Sequence, residues 1–593
     1  NKKTEQGQDI SPYPETNIGA SSAAKKYRFQ WTYPIVFSPQ NPKRMYIGSQ
    51  YVHVTEDGGH SFEIISPDLT RNDSKTTGET GGPITKDQTG AEVYATIFTI
   101  SESPIEQGVL WTGSDDGLLH VSKNNGKNWE NVSVPTTMLP VFSLISILHT
   151  SDHAKGKSYL AANKYMYGDR TPYLFKTIDY GKTWTKITNG IPADEYCRVL
   201  REDPNKPGLL FAGTERGIYV SFNDGDLWQK LNLNLPITPI RDLQIQKRES
   251  DLVVATHGRA FWILDDINPL YEIMDKKVSK QKHLYKPRIT YRMQGGSSKN
   301  TNAGTNLVNG AIIRYVLDKK STKELKLEFL DDKNNSIITY SSLNNVKGEP
   351  MKIAKEFHQD KEKEQPGFVT NKAGMNVFVW NLRYPNVTSV EGTNVMWAGS
   401  GEDVKVLPGN YKVRLLEDKE IIAEQEFVVK KDPRATSSDA DLKEQFDLHQ
   451  KINKKVDEAH IAINQLRKIR TQINGYLGNV KDSTMVREMK VITKPITDVL
   501  DDVESKLMQP KAKAPQDVLA FPVQLNDKMA GLGSIVASGE TKPTKSSYLV
   551  YDDLASKIDK QTARVKEIID IKIIEFNDYV KQKQIPAITV SPK

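Results

Sequence analysis

Side chains able to hold a ligand or move a proton gather in four short stretches. These are Asp115 with Asp116; Lys164 to Arg170, containing Tyr165, Tyr167, Asp169 and Arg170; Glu215 with Arg216; and His257 with Arg259. Two carboxylates flanking a bond, one protonating the leaving oxygen and one activating water, would hydrolyse a glycoside. Asp115, Asp116 and Glu215 are the members available for that role, and no motif selects among them. Tyrosines beside charges of both signs would instead grip a peptide terminus, a carboxylate or a sugar. The plainer alternative is a set of solvated loop tips making local salt bridges. His149, Asp152 and His153 carry a zincin-like spacing, but in a strand-and-loop context, so no metal and no cofactor are assigned.

The elements that must position these stretches are repeats. An eight-residue pattern recurs four times: Thr55, Asp57, Gly59, Phe62; Ser122, Asn124, Gly126, Trp129; Thr177, Asp179, Gly181, Trp184; Ser221, Asn223, Gly225, Trp228. Its starts lie 67, 55 and 44 residues apart, a spacing that suits one four-stranded unit with variable loops. Each copy reads as a hairpin turn. The Asp or Asn accepts hydrogen bonds from turn amides, the Gly supplies a positive φ, and the aromatic opens the next strand. Strand-like runs sit at matching offsets (44–49, 109–113, 158–162, 209–213, and again just before each turn), and 251–266 repeats the strand pair without the turn motif.

These repeats, with Asp9–Glu15, Ile65–Thr70, Thr256–Asp266, Val379–Pro385, Leu407–Tyr411 and Lys431–Arg434, resemble the Asp-box (bacterial neuraminidase repeat) β-propellers. The resemblance is strongest to the bacterial sortilin-like "glycosyl hydrolase, repeat-containing" proteins and covers nearly the whole chain. It implies about five blades over 21–275, with residues 1–20 the tail of a preceding blade or a ring closure. Further blades would be absent or supplied by another chain. It also implies an extracytoplasmic bacterial setting: periplasmic, outer-membrane-associated or secreted. In such a fold the four turns lie on one face as structural devices, and the four polar stretches, joined by the long loop Ser66–Glu92, lie on the other. A sialidase-like reading needs an arginine triad and a Tyr–Glu pair, and the Arg-Ile-Pro element typical of that family is not found.

Beyond the propeller, residues 285–432 read as an immunoglobulin- or fibronectin-like antiparallel β-sandwich. Leu325, Leu327 and Phe329 alternate before a turn at Asp331–Asn335, and Tyr411, Val413 and Leu415 alternate after Pro408 and Gly409. Residues 437–582 switch to helical period and read as an antiparallel bundle, with a tail at 583–593. One stripe runs from Leu442 to Ile473 and is capped by Ser438 or Asp439; another runs from Met489 to Leu507 and a third from Leu554 to Phe576. Gly531, Gly533 and Pro543 are taken to separate the last two.

The formal charge of +7 on 593 residues is spread without a basic block, which argues against nucleic acid. No apolar run is long enough for a transmembrane segment. Cys197 is the single cysteine, so no internal disulfide can form. The expectation is a non-catalytic binding scaffold with a protein partner and a possible peptide or glycan ligand. The alternatives are a polysaccharide hydrolase and a sortilin-like peptide receptor.

Overall fold

The computed structural model describes residues 3–79, 88–278, 282–293, 304, 307–343, 369–391 and 401–585. Residues 80–87 of the Ser66–Glu92 loop and 586–593 of the C-terminal tail lie outside the described residues. The chain divides into two compact units, Asn1–Lys277 and Val278–Lys593.

The first unit is a series of antiparallel sheets, each a meander in chain order. Blade 1 holds β1 (Ile35–Phe37), β2 (Met45–Gly48), β3 (Val52–Thr55) and β4 (Glu63–Ile64). Blade 2 holds β5 (Ile97–Glu102), β6 (Leu110–Ser114), β7 (Leu119–Ser122) and β8 (Glu130–Asn131). Blade 3 holds β9 (Leu144–Thr150), β10 (Ser158–Lys164), β11 (Asp169–Thr177) and β12 (Thr185–Lys186). Blade 4 holds β13 (Cys197–Asp203), β14 (Lys206–Thr214), β15 (Ile218–Ser221) and β16 (Gln229–Lys230). Blade 5 has three strands, β17 (Ile240–Gln246), β18 (Asp251–Thr256) and β19 (Phe261–Leu264), followed by α1 (Asn268–Met274). The sheets pack in succession through their inner strands: β5 on β1 and β2, β9 on β5 and β6, β13 on β9 and β10, β17 on β13 and β14. This is the radial order of propeller blades. Among the described residues no comparable packing joins blade 5 back to blade 1, so the arc is open.

The four repeated turns close the third strand of blades 1 to 4 onto their short fourth strands. In the first, Gly59 N donates to Thr55 Oγ1 (3.0 Å) and Ser61 N to Asp57 Oδ1 (3.0 Å). The same pair of bonds recurs at Ser122 and Asn124, Thr177 and Asp179, and Ser221 and Asn223, at 2.9 to 3.0 Å. In blades 2 to 4 the turn also fastens the blade to the one before it. Trp129, Trp184 and Trp228 donate their indole N–H to the carbonyls of Ile65, Val132 and Ile187 (2.9, 2.8 and 2.7 Å). Gly126, Gly181 and Gly225, at φ of +85°, +83° and +88°, sit so close to those same three residues that a Cβ would approach within 2.7 Å. Gly59 meets Ile10 in the same way, so the N-terminal segment fills the place that a preceding blade's exit fills elsewhere.

Both ends of the arc carry apolar faces. Strand pairing sets Val36, Tyr46 and Val54 toward blade 2 and leaves Ile35 and Phe37 on the other side, 53 % and 64 % exposed. In blade 5, Leu243, Ile245, Leu252 and Val254 face blade 4, while Phe261 and Ile263 point away, 78 % and 58 % exposed.

The second unit begins with β20 (Lys282–Leu284), β21 (Thr290–Arg292), β22 (Ala311–Leu317), β23 (Leu325–Leu330), β24 (Ser336–Ser341), β25 (Gly374–Trp380), β26 (Gly409–Glu417) and β27 (Glu420–Lys431). They form a three-stranded sheet, β20-β22-β25, and a five-stranded sheet, β21-β27-β26-β23-β24, around one core in which Trp380 stacks on Phe329 at 4.5 Å. One pairing departs from the antiparallel expectation: β21 runs parallel to β27, from Thr290 beside Val429 to Arg292 beside Lys431. Such a pair joins segments far apart in sequence and leaves no local signature.

Then come α2 (Asp439–Asn479), α3 (Ser483–Leu507), α4 (Leu525–Val536) and α5 (Lys545–Glu567), with a π turn at Ile568–Lys572 leading into α6 (Ile573–Gln582). Ser438 caps α2 through a capping box with Asp441. The helices share a core that includes Ile452, Ile463, Leu500, Met529 and Ile558. Gly531 and Gly533, expected in a separator, lie inside α4. A Cβ on Gly533 would stand 3.3 Å from Ile452 and 3.5 Å from His449, so the glycine serves close packing of α4 on α2, not a break. No described helix is long and apolar enough to cross a membrane.

Candidate functional site

Because the repeated turns join third to fourth strands, the loops joining second to third strands emerge on the opposite face. These loops hold Asp115 and Asp116 (β6–β7), Tyr165 to Gly168 (β10–β11), Glu215 and Arg216 (β14–β15) and His257 to Ala260 (β18–β19).

The two aspartates are buried and already engaged. Asp115, 6 % exposed, accepts from Thr96 N and Thr96 Oγ1, both at 2.9 Å. Asp116 accepts from Ser114 Oγ (2.5 Å) and Arg71 N (2.8 Å), and its own carbonyl takes Arg71 Nε (2.8 Å). Together they tie the long connection between blades 1 and 2 onto blade 2. Burial pushes the Asp115 carboxyl up to about 7 and raises Asp116 as well.

An acid whose pKa is raised by folding holds its proton more tightly in the native chain. Its stabilising contribution is therefore present at low pH and is lost as pH rises to about 7. Asp115→Asn keeps both Thr96 bonds, since an amide oxygen accepts the N–H and an amide NH₂ donates to the hydroxyl. The variant should gain melting temperature relative to the parent between about pH 5 and pH 8. A variant that instead loses ground at the higher pH would mean that the site is built for the ionised carboxylate.

A second group assembles from blades 3 and 4. The Tyr165 and Tyr196 rings stack at 4.9 Å and 8°, and the Arg198 guanidinium lies 4.7 Å from the first ring and 5.0 Å from the second. Arg198 Nε donates to Glu215 Oε2 (3.1 Å) and Nη2 to the Tyr196 hydroxyl (2.7 Å). Tyr165 and Glu215, both singled out from sequence, are thus brought together, but by two residues that were not. Tyr196 immediately precedes β13 and Arg198 sits at a break in its register between Cys197 and Val199, so no simple alternation in the sequence marks the pair.

The remaining residues spread along the rim. Tyr167 is exposed with Lys164 Nζ 5.1 Å from its ring centre. Asp169 serves its own hairpin, accepting from Thr171 N (2.9 Å) and the Tyr173 hydroxyl (2.8 Å), while Arg170 is exposed. Arg216 pairs with Asp194 (3.2 Å), and His257 Nδ1 accepts from Arg241 Nε (2.9 Å). Arg259 is exposed on a turn anchored by its own N–H to Thr256 Oγ1 (3.1 Å).

His149, Asp152 and His153 do not converge. His149 is half-buried beside Tyr159, Asp152 lies 3.8 Å from Lys247, and His153 Nε2 meets the Asp203 carbonyl at 2.8 Å. Among the described residues no three His, Cys, Asp or Glu side chains group to hold a metal ion.

No family model matches the chain, and no curated protein matches it. Among solved structures, the GH74 xyloglucanase from Xanthomonas campestris is 16 % identical, over 42 % of this chain and 37 % of its own, at a TM-score of 0.30. YCF48 bound to a D1 peptide is 18 % identical, over 40 % of this chain and 64 % of that one, at 0.26. The extracellular domain of the putative hybrid two component system BT3049 from B. thetaiotaomicron is 11 % identical, over 68 % of this chain and 44 % of that one, at 0.28. The chain thus spans less than two thirds of the length of each. At these scores the likenesses assign neither family nor activity.

Proposed function

We propose that the chain is a non-catalytic binding scaffold: an Asp-box propeller arc that presents its loop face to a partner and is completed by further blades. The observation that carries this reading is how the candidate carboxylates are used. Asp115, Asp116 and Glu215 all make hydrogen bonds within the fold, and the two aspartates are buried. A general acid and a base for glycoside hydrolysis must instead flank a bond and reach a water.

The arc itself supports the partner. Phe261, Ile263, Ile35 and Phe37 stand on sheet faces that, in the interior blades, are covered by a neighbouring blade. Ile10 at Gly59 supports reading residues 1–20 as the tail of one more blade. We assign the β-sandwich as an immunoglobulin-like module and the helices as an attachment bundle. The whole is placed in a bacterial envelope or secreted assembly, in keeping with the sortilin-like resemblance of the sequence.

The purified chain incubated with plant, fungal and sialylated polysaccharides should release no product. Clear release, abolished by Glu215→Gln or Asp115→Asn, would replace the scaffold by a hydrolase.

A further inference from the structure

We infer that the loop-face rim of blades 4 and 5 docks a linear peptide in which aliphatic side chains alternate with carboxylates. The inference rests on the binding-face reading above and gives it a location and a partner chemistry.

The connection from β16 to β17, residues 231–239, contains no charged side chain and two prolines, Pro236 and Pro239. Leu235 is tucked into the blade, while Leu233 and Ile237 stand 69 % and 76 % exposed. Local hydrogen bonds fix the connection at both ends. Asn232 Oδ1 accepts from Ile218 N (3.0 Å) and its Nδ2 donates to the Arg216 carbonyl (3.3 Å); His257 N donates to the Pro239 carbonyl (2.9 Å). Leu233 is held at φ +47°, a backbone region that a leucine seldom adopts, which the surrounding bonds must enforce. Two aliphatic side chains are thereby displayed on a preorganised loop, the arrangement that lowers the ordering cost of binding.

Cations flank this loop. Its start is bonded to the backbone of Arg216, and its end leads through Pro239 to His257, Arg241 and Arg259. Carboxylates nearby are occupied: Glu215 by Arg198 and Asp242 by Arg201. Among the described residues no ion pair holds Arg241 or Arg259, and the Arg216–Asp194 pair is open to water, 48 % and 64 % exposed, and so is readily exchanged. Guanidinium groups bind carboxylates through paired parallel hydrogen bonds, which an ammonium cannot do. Leu233 and Ile237 offer aliphatic contact and no ring on which a base would stack. The surrounding unit has nearly balanced basic and acidic residues, so it lacks the broad positive field that draws a polyanion. A short acidic, aliphatic segment matches both features.

The probe is a fluorescein-labelled synthetic heptapeptide alternating aspartate or glutamate with leucine or isoleucine, titrated by anisotropy against the full chain. Saturable binding is expected, weakened about tenfold or more by the paired changes Arg241→Glu and Arg259→Glu and by Ile237→Ser, with melting temperature unchanged because all three side chains are exposed. A lysine-for-acid version of the peptide should not bind. No saturable binding, or binding indifferent to these changes, overturns the proposal. So does tighter binding to phosphatidylglycerol vesicles or a single-stranded oligonucleotide that the same changes abolish, which would reassign the rim to a polyanion. If the peptide fails while a native partner is still blocked by labels elsewhere on the loop face, this site falls and the binding-face reading stands.

Discussion

Trp184→Ala should lower the melting transition of the first unit by roughly 6–20 °C, whereas Trp31→Ala should scarcely move it. Trp184 is 8 % exposed, its ring meets Trp111 edge-on at 6.4 Å, and its indole N–H bonds the Val132 carbonyl at 2.8 Å. Deleting a buried tryptophan costs about 3–5 kcal/mol, and each kcal/mol shifts the transition of a domain this large by about 2–4 °C. Trp31, 69 % exposed, belongs with surface positions, where changes stay within about 0.5 kcal/mol. Trp184→Phe keeps a ring and loses mainly the hydrogen bond, about 1 kcal/mol, so it should fall between the two. Differential scanning calorimetry on the full chain resolves the three. Equal transitions for Trp184→Ala and Trp31→Ala would mean that the repeated turn does not lock blade to blade.

What was legible in the sequence was local. Thr55, Asp57 and Gly59 bond one another within five residues, so their types and spacing alone specify the turn, and three further copies fix the repeat. The strands beside them follow from β-branched runs at constant offsets. The closing strands were harder to read. The sequence suggests four residues from each aromatic onward, but β4, β8, β12 and β16 hold two. Ahead of β8, β12 and β16 the tryptophan bonds the preceding blade.

Beyond the repeated turns, contacts between blades left no trace a single sequence could show. Arg198 reaches Glu215 along its own blade and Tyr165 on the neighbouring one, so the stack appears only once blades 3 and 4 are side by side. The same holds for Asp115 and Asp116. As a carboxylate pair they suggested acid–base chemistry, and only their partners Thr96, Ser114 and Arg71 reveal them as fasteners of the connection between blades. Helix α4 was hidden by Gly531 and Gly533; at Gly533 the low helix propensity is outweighed by close packing on α2.

The separation of a structural turn face from a recognition loop face is tested most directly by single-site labelling. Cys197 is fully buried, and burial raises its thiol pKa, so it should not react with a maleimide. New cysteines can then be placed on the loop face at Met166 or Arg259, and on the turn face at Lys127 or Lys182, all exposed. Each is capped with a polyethylene-glycol maleimide, and the labelled chain is tested for one-to-one co-elution with its native partner. Labels at Met166 and Arg259 should abolish co-elution, and labels at Lys127 and Lys182 should leave it intact. Loss of the partner from the turn-face labels, with the loop-face labels tolerated, would contradict the account.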